Sequence, residues 1–252
     1  EHNGLSLECV ENISIVKNIV NKFVISRYDS FMSVSKGSCV LFEKLMGLNV
    51  GDVKVVYNPV LDNTYYDKLS KEPYCDWLKN KIMPTMVAAG AFSEIKGHLV
   101  LFEAIRIANE TTPVRLVLFG KGHLQKNYEK WIAENHMQER ILLAGHTSNL
   151  PAEIKKSDAF VISSQKESFS VVLVEAMAAD ILVISTDCPY GPPELLQYGK
   201  YGVLVPVGDS KAMAQAIVNQ VNNPRKPAPK EAWTPFALEK VVFAYEKAIG
   251  LV

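Results

Sequence analysis

A doubly wound α/β domain built on a parallel sheet is the fold class this 252-residue sequence predicts, and three observations carry it. From residue 84 to about Val221, short apolar runs alternate with segments of helical spacing. The runs, such as Val114 to Phe119, are continuous rather than alternating, as expected of strands buried on both faces. The length, set against roughly 150 residues per domain, and a composition of 48% hydrophobic and 21% charged residues fit one sizeable core with a smaller accompanying unit.

The elements follow in order. Residues 9–28 carry mixed helical spacing. Ser30 to Ser35 alternates like a short half-buried strand, and Ser38 to Met46 reads as a helix stopped by Gly47. Lys54 to Tyr57 is strand-like; Asn58-Pro59 ends it, because proline lacks an N–H and forces the preceding residue to extended geometry. A domain boundary is expected there. The regular part then pairs strand Thr85–Ala91 with helix Leu99–Ala108, strand Val114–Phe119 with helix Leu124–Glu134, and strand Ile141–Ala144 with helix Leu150–Lys156. Strand Ala159–Ser163 precedes helix Ser170–Ala179, strand Ile181–Ser185 precedes helix Pro193–Gln197, and strand Val203–Val205 precedes helix Ser210–Val221. Pro224 to Pro229 is a basic, proline-rich connector, and Phe236 to Ile249 closes as an amphipathic helix with Leu238, Val241, Val242, Tyr245 and Ile249 on one face. In such a fold the ligand sits at the carboxyl ends of the strands.

Lys plus Arg and Asp plus Glu both number 27, so the chain lacks the basic surplus of a nucleic-acid-binding protein. Cys9, Cys39, Cys75 and Cys188 are far apart and form no C-x-x-C pair, which argues against a zinc site or disulfide scaffold and fits the reducing cytoplasm. No apolar run approaches the ~18 residues of a membrane span, and the first residues have no basic stretch of a signal peptide. The chain opens on Glu1 rather than Met, as expected of a processed or partial chain.

Gly120-Lys121-Gly122-His123-Leu124-Gln125 begins like a G-x-G-x-x-G dinucleotide fingerprint. Gln125 stands where the third glycine would allow close helix–strand packing, so a tight turn is favoured over a nicotinamide or flavin site. Glu175, inside the apolar run Val171 to Ala179, is the sharpest anomaly. An unpaired buried carboxylate is costly, so Glu175 is expected to meet water, a cation or ligand hydroxyls; an exposed helix position is the alternative. Ser170 and Val171 open that helix with free N–H groups that suit an anion. A hydroxyl acceptor beside a phosphate seat is what a nucleotide-sugar requires. Among the histidines, His98 reads as a helix-start residue, His123 lies in the G-x-G turn, and His146 either lines a base pocket or is solvated. No G-x-S-x-G elbow supports Ser-His-Asp catalysis.

Glu167, followed after seven residues by Glu175-Ala176-Met177-Ala178, resembles the E-x7-E signature of retaining glycosyltransferases of family 4 (glycosyl transferases group 1). Three further stretches match in order. Gly90-Ala91-Phe92-Ser93-Glu94-Ile95-Lys96-Gly97 is similar to the family's G-R-x-x-x-x-K-G loop, Leu116 to Gly122 to its strand and G-x-G, and Ser185 to Glu194 to its T-D-C-P-x-G-P-x-E stretch. The resemblance implies a GT-B fold of two Rossmann-like domains across a cleft. Residues 1–59 would be the remnant of the acceptor-side domain, 60–229 the sugar-nucleotide-binding domain, and 230–252 a helix packing back towards the first. Roughly 100 residues of a Rossmann domain would precede Glu1.

By the same resemblance, Glu167 lies beside the donor sugar, Lys96 neutralises the departing diphosphate and His2 stands near the sugar. Glu175 takes the ribose hydroxyls, while Ser170, Val171, Gly90 and His146 complete the donor site. The reaction implied is hexosyl transfer from an NDP-sugar, UDP ahead of other bases, to a glycan or lipid-linked glycan in surface polysaccharide synthesis. It needs no metal and no cofactor beyond the donor. The expected location is cytoplasmic, peripheral at the inner face of the membrane, with any membrane contact through the first domain. Departures are Ala91 for the family's phosphate-binding Arg, Ser168 for a Gly, Asp180 for the helix-ending Gly, and no Gly-rich acceptor loop. A non-catalytic nucleotide-sugar-binding fragment and a GT-B sugar-nucleotide epimerase are the alternatives.

Overall fold

The computed structural model describes residues 27–28 and 30–252; His2, Cys9 and nearly all of the 9–28 segment lie outside these residues. The described residues begin with β1 (Phe31–Ser33), α1 (Lys36–Met46) and β2 (Val53–Val55), and β1 pairs with β2 in parallel. Ser35 caps α1 by accepting from the Ser38 N–H, and Gly47 ends it in the left-handed conformation. Two short helices follow, α2 (Asn63–Leu69) and α3 (Asp76–Lys79). Both are too short and polar to show a helical period in the sequence, although Asp62 caps α2 through the Tyr65 N–H.

Then come β3 (Thr85–Ala89), α4 (His98–Ala108), β4 (Arg115–Phe119), α5 (Gln125–Glu134), β5 (Ile141–Gly145) and α6 (Leu150–Lys155). The second half continues with β6 (Ala159–Ile162), α7 (Val171–Ala178), β7 (Val183–Thr186), α8 (Gly191–Leu195), β8 (Val203–Val205) and α9 (Ser210–Asn222). The chain ends with α10 (Lys230–Trp233), a 3-10 turn over Thr234–Phe236 and α11 (Leu238–Ala248).

The larger sheet has the order β5-β4-β3-β6-β7-β8, with every neighbouring pair parallel. This is the doubly wound arrangement the apolar runs predict. The order reverses between β3 and β6, so the crevice at their carboxyl ends is the place where such sheets bind ligands. Both sheet faces are covered. Met86, Ala88, Leu116 and Leu118 pack with Leu101, Phe102 and Ile105 of α4 and with Met213 and Ile217 of α9. The alternate residues Val87, Val117, Phe160 and Ile162 pack on the other face with Ile154 of α6 and with Leu173, Val174 and Met177 of α7. Each large apolar side chain buried this way contributes on the order of 1.5–3 kcal/mol.

Several boundaries move for local reasons. Asp180 takes φ +60°, and the Ile181 N–H returns to the Ala176 carbonyl at 3.1 Å. That turn consumes Ile181 and Leu182, so β7 starts at Val183 rather than at the expected Ile181. The helix expected over Pro193–Gln197 starts two residues earlier, with Pro192 and Pro193 in the first turn, where a missing N–H is harmless. On α11 only Val241 of the expected apolar stripe is buried; it clusters with Ala248 and Val56, with Met32 packed against them. Among the described residues, nothing covers Leu238, Val242, Tyr245 and Ile249, which stay exposed.

Candidate functional site

A cleft of about 460 Å³ opens at the carboxyl ends of β3, β4, β5 and β6. The β3–α4 loop contributes Gly90, Ala91 and Lys96, the β4–α5 loop Gly120 and Lys121, and the β5–α6 loop His146 and Thr147. The β6–α7 loop and the start of α7 contribute Glu167, Phe169, Ser170, Val171 and Val172.

Backbone packing fixes these loops. Gly97 has φ +61°, and a Cβ there would stand 2.2 Å from the Ser163 carbonyl oxygen. Only glycine lets the β3–α4 loop fold down onto the end of β6. Two further bonds hold it: the Ser163 hydroxyl donates to the Lys96 carbonyl at 2.8 Å, and the Gln165 N–H donates to the Ile95 carbonyl at 2.8 Å. The 3-10 turn Glu94–Lys96 thereby aims Lys96 across the cleft. Its Nζ donates to Glu167 Oε1 at 2.5 Å, and the Ser164 hydroxyl donates to the same oxygen at 2.9 Å. Gly120, at φ +150°, lies so close that a Cβ would be 1.9 Å from the Gly90 carbonyl oxygen; one on Gly122 would be 2.4 Å from that of Phe92. The G-x-G run is thus explained by contact between two loops, in keeping with the tight-turn reading.

Helix α7 begins at the cleft with no side chain capping it, so its first-turn N–H groups remain available at the rim. Glu175 lies one turn further in, on the same face as Val171 and Val172 by its i+4 and i+3 spacing. It is not among the residues lining the cleft. Its carboxylate makes no hydrogen bond or ion pair among the described residues, while the Tyr65 hydroxyl donates to its main-chain carbonyl at 2.9 Å. Burial pushes the carboxyl up to about 7, opposed by the charge of Lys68. The exposed-position alternative does not hold, since Glu175 is mostly withdrawn from solvent.

Of the residues singled out from sequence, Gly90, Lys96, His146, Glu167, Ser170 and Val171 line one cleft; Glu175 adjoins it and His2 lies outside the described residues. Ser168 does not take positive φ, so serine replaces the family's glycine without strain, whereas Asp180 does enter the left-handed region. Sequence reasoning overlooked Lys121, an exposed cation on the cleft wall. Its place between two glycines directly after a strand was the available signal. It also overlooked a second cavity of about 660 Å³ that shares Phe119, His146 and Thr147 with the first and adds Tyr74, Cys75, Trp77 and Glu153. Glu153 is fully buried and accepts the Tyr74 and Cys75 N–H groups at 2.8 and 3.3 Å, which fixes that wall. Among the described residues no group of three or more His, Cys, Asp or Glu side chains could hold a metal ion, and no helix is long and apolar enough to cross a membrane.

A family model described as glycosyl transferases group 1 matches residues 76–232. A 4-alpha-N-acetylgalactosaminyltransferase of Campylobacter jejuni acting on a diphospho-undecaprenol substrate is 29% identical over 205 residues, covering 79% of this chain and 54% of that protein. The N-acetyl-alpha-D-glucosaminyl L-malate synthase of Bacillus anthracis is 25% identical over 201 residues, covering 77% and 52%. The chain therefore spans about half the length of these relatives. Among solved structures, Anabaena HepE in complex with UDP superposes with a TM-score of 0.81 at 22% identity, covering 96% of this chain and 69% of that one. The pneumococcal O-GlcNAc transferase GtfA in complex with UDP and GlcNAc superposes at 0.71 with 18% identity, covering 92% and 46%. At these identities the likeness establishes the GT-B type of fold and nothing finer.

Proposed function

The chain belongs to the glycosyl transferases group 1 family, and from that premise we propose that it forms the donor side of a retaining hexosyltransferase. The enzyme would move a sugar from UDP to a glycan or lipid-linked glycan in surface polysaccharide synthesis. The observation that carries this reading is the convergence, at the switch point of the sheet, of two lysines, a carboxylate and an uncapped helix start on one cleft.

Each part has work to do. The glycosidic bond to the diphosphate breaks with its electron pair leaving on the phosphate oxygen, while the sugar passes through an oxocarbenium-like state. Stabilising the charge that develops on the leaving group lowers the barrier. Lys96, Lys121 and the α7 amides supply positive potential there without a metal ion. Lys96 is tied to Glu167; donor binding would exchange that partner for the diphosphate and leave Glu167 to the sugar hydroxyls. Glu175, half-buried and with no hydrogen-bond partner for its carboxylate among the described residues, gains hydrogen bonds from ribose hydroxyls. The adjoining cavity by His146, Thr147 and Trp77 has the aromatic and polar walls that suit a nucleobase. The bound nucleotide of HepE and of GtfA is UDP, which favours uracil over guanine here.

Thermal denaturation with UDP, GDP, uridine and NAD tests the reading. UDP is expected to raise the midpoint, uridine far less and NAD not at all, with Glu175→Ala abolishing the UDP effect. A response to NAD without one to UDP would overturn the assignment. Release of UDP from a UDP-hexose, with retained configuration in the product, tests the transfer step; donor binding by the whole protein without such release would make it a binding protein instead.

A further inference from the structure

We propose that Glu194 is a positioning residue. Its single carboxylate seats the N-terminal segment Phe31–Tyr57 on the loop that carries Glu167, so that occupancy of the cleft and docking of that segment are coupled. The inference rests on reading the cleft as the nucleotide-sugar site.

Glu194 lies on α8, yet both of its oxygens serve the other end of the chain. Oε2 accepts the Lys36 N–H at 2.8 Å, and Oε1 accepts the Tyr57 hydroxyl at 2.7 Å. Lys36 is the first residue of α1. The hydroxyl of the N-cap Ser35 is already engaged with the Ser38 N–H, so Glu194 answers a separate open donor and adds a negative charge at the positive end of the helix. An amide in place of the carboxylate has one accepting oxygen and could keep only one of the two donors at full strength.

The same stretch holds the catalytic loop. The Gly191 N–H, at the start of α8, donates to the Glu167 carbonyl at 2.7 Å, and Tyr190 forms a parallel bridge with Glu167. Tyr190 adopts φ +83°, a conformation a tyrosine holds only when its surroundings impose it. One such surrounding is α1: a Cβ on Gly37 would sit 2.7 Å from the Tyr190 ring, so helix and ring are in direct contact. The other end of the loop is also reached. The Tyr57 ring lies 6.1 Å from that of Phe169, which lines the cleft, and 5.1 Å from Phe236. The N-terminal segment thus grips the Glu167–Phe169 loop at both ends, with Glu194 as the charged link. A ligand that orders this loop should order the start of α1, and the reverse must hold by linkage.

Hydrogen exchange read by mass spectrometry on the 252-residue chain, with and without UDP-glucose, tests this. In the wild-type chain UDP-glucose is expected to slow exchange at residues 167–170 and 36–40 together. Glu194→Gln should keep the protection at 167–170, lose it at 36–40, and exchange about tenfold faster at 36–40 without ligand, the worth of one hydrogen bond to a charged group. Tyr57→Phe, which removes only a hydroxyl, should give a smaller effect of the same pattern and serves should the first variant fold poorly. Glu239→Gln, on the exposed side of α11, should match the wild type. Undiminished protection at 36–40 in Glu194→Gln would overturn the proposal. If UDP-glucose protects nothing in the wild-type chain, the nucleotide-sugar reading fails. The ligand-free comparison then decides the coupling by itself: faster exchange at both 36–40 and 167–170 supports it, and unchanged exchange at either refutes it.

Discussion

Replacing Glu175 with glutamine should stabilise the folded chain, increasingly so as the pH rises. Burial moves the carboxyl from 4.5 to about 7. At ~1.4 kcal/mol for each tenfold change in proton affinity, this corresponds to about 3 kcal/mol of charge penalty, and residual solvent contact reduces the working figure to about 2 kcal/mol. The sign follows from the direction. A group that binds its proton more tightly when folded favours the folded state fully below its unfolded value, and that contribution is lost as the pH rises through about 7. The glutamine variant carries no such penalty. Its stability relative to wild type should therefore be smallest near pH 4.5, climb by about 2 kcal/mol towards pH 8 and level off. In melting temperature this is roughly 4–8 °C for a chain of this size. The wild-type profile alone would conceal the effect. Burial holds the imidazole of His98 down at about 4, against an ordinary 6.5, and this makes stability rise with pH over nearly the same window. Urea denaturation of both proteins at half-unit steps from pH 4.5 to 8.5 isolates Glu175 in the difference. A flat difference would show that the carboxylate is not charged in a desolvated site, and the ribose-acceptor role would lose its physical basis.

Three further outcomes follow from the same geometry. Gly97→Ala should cost at least about 3 kcal/mol in denaturant unfolding, because it adds left-handed strain to a collision with the Ser163 carbonyl; a cost below about 1 kcal/mol would mean the loop is not held on β6. Lys96→Met should weaken UDP binding by calorimetry about 10- to 100-fold while leaving uridine binding unchanged, as loss of a charge-assisted phosphate contact requires. Equal losses for both ligands would place Lys96 outside the diphosphate seat. Lys121→Ala should weaken UDP binding about tenfold without altering the melting temperature of the free chain, since the side chain is exposed, and should flatten the salt dependence of binding; an unchanged salt dependence would remove Lys121 from the site.

Much of this was legible in the sequence, for identifiable reasons. Continuous apolar strands such as Leu116 to Phe119 announce burial on both faces, and the motif loops lie at their carboxyl ends, where topology alone brings Lys96, Glu167 and Ser170 together. The short helices α2, α3 and α10 were not legible. They have too few turns for a period to show and depend on a cap or on neighbours, as α2 depends on Asp62. Lys121 escaped notice because the flanking glycines drew attention to a turn, while the lysine between them carries the charge. The role of Glu194 could not be read at all. Its partners lie 137 and 158 residues away, and no local pattern encodes a contact of that separation.

The near-touching main chains at Gly90 and Gly120 determine where the ligand preference of the cleft can be altered. With the Gly90 carbonyl oxygen standing where a side chain on Gly120 would have to begin, and that of Phe92 standing likewise at Gly122, neither Gly120 nor Gly122 can grow outward. Variation is left to the exposed rim, at Ala91, Lys121 and His146, since the Thr147 hydroxyl holds the Asn149 N–H and is part of the scaffold. Efforts to redirect this cleft towards another ligand should therefore randomise those three sites and leave Gly120 and Gly122 alone.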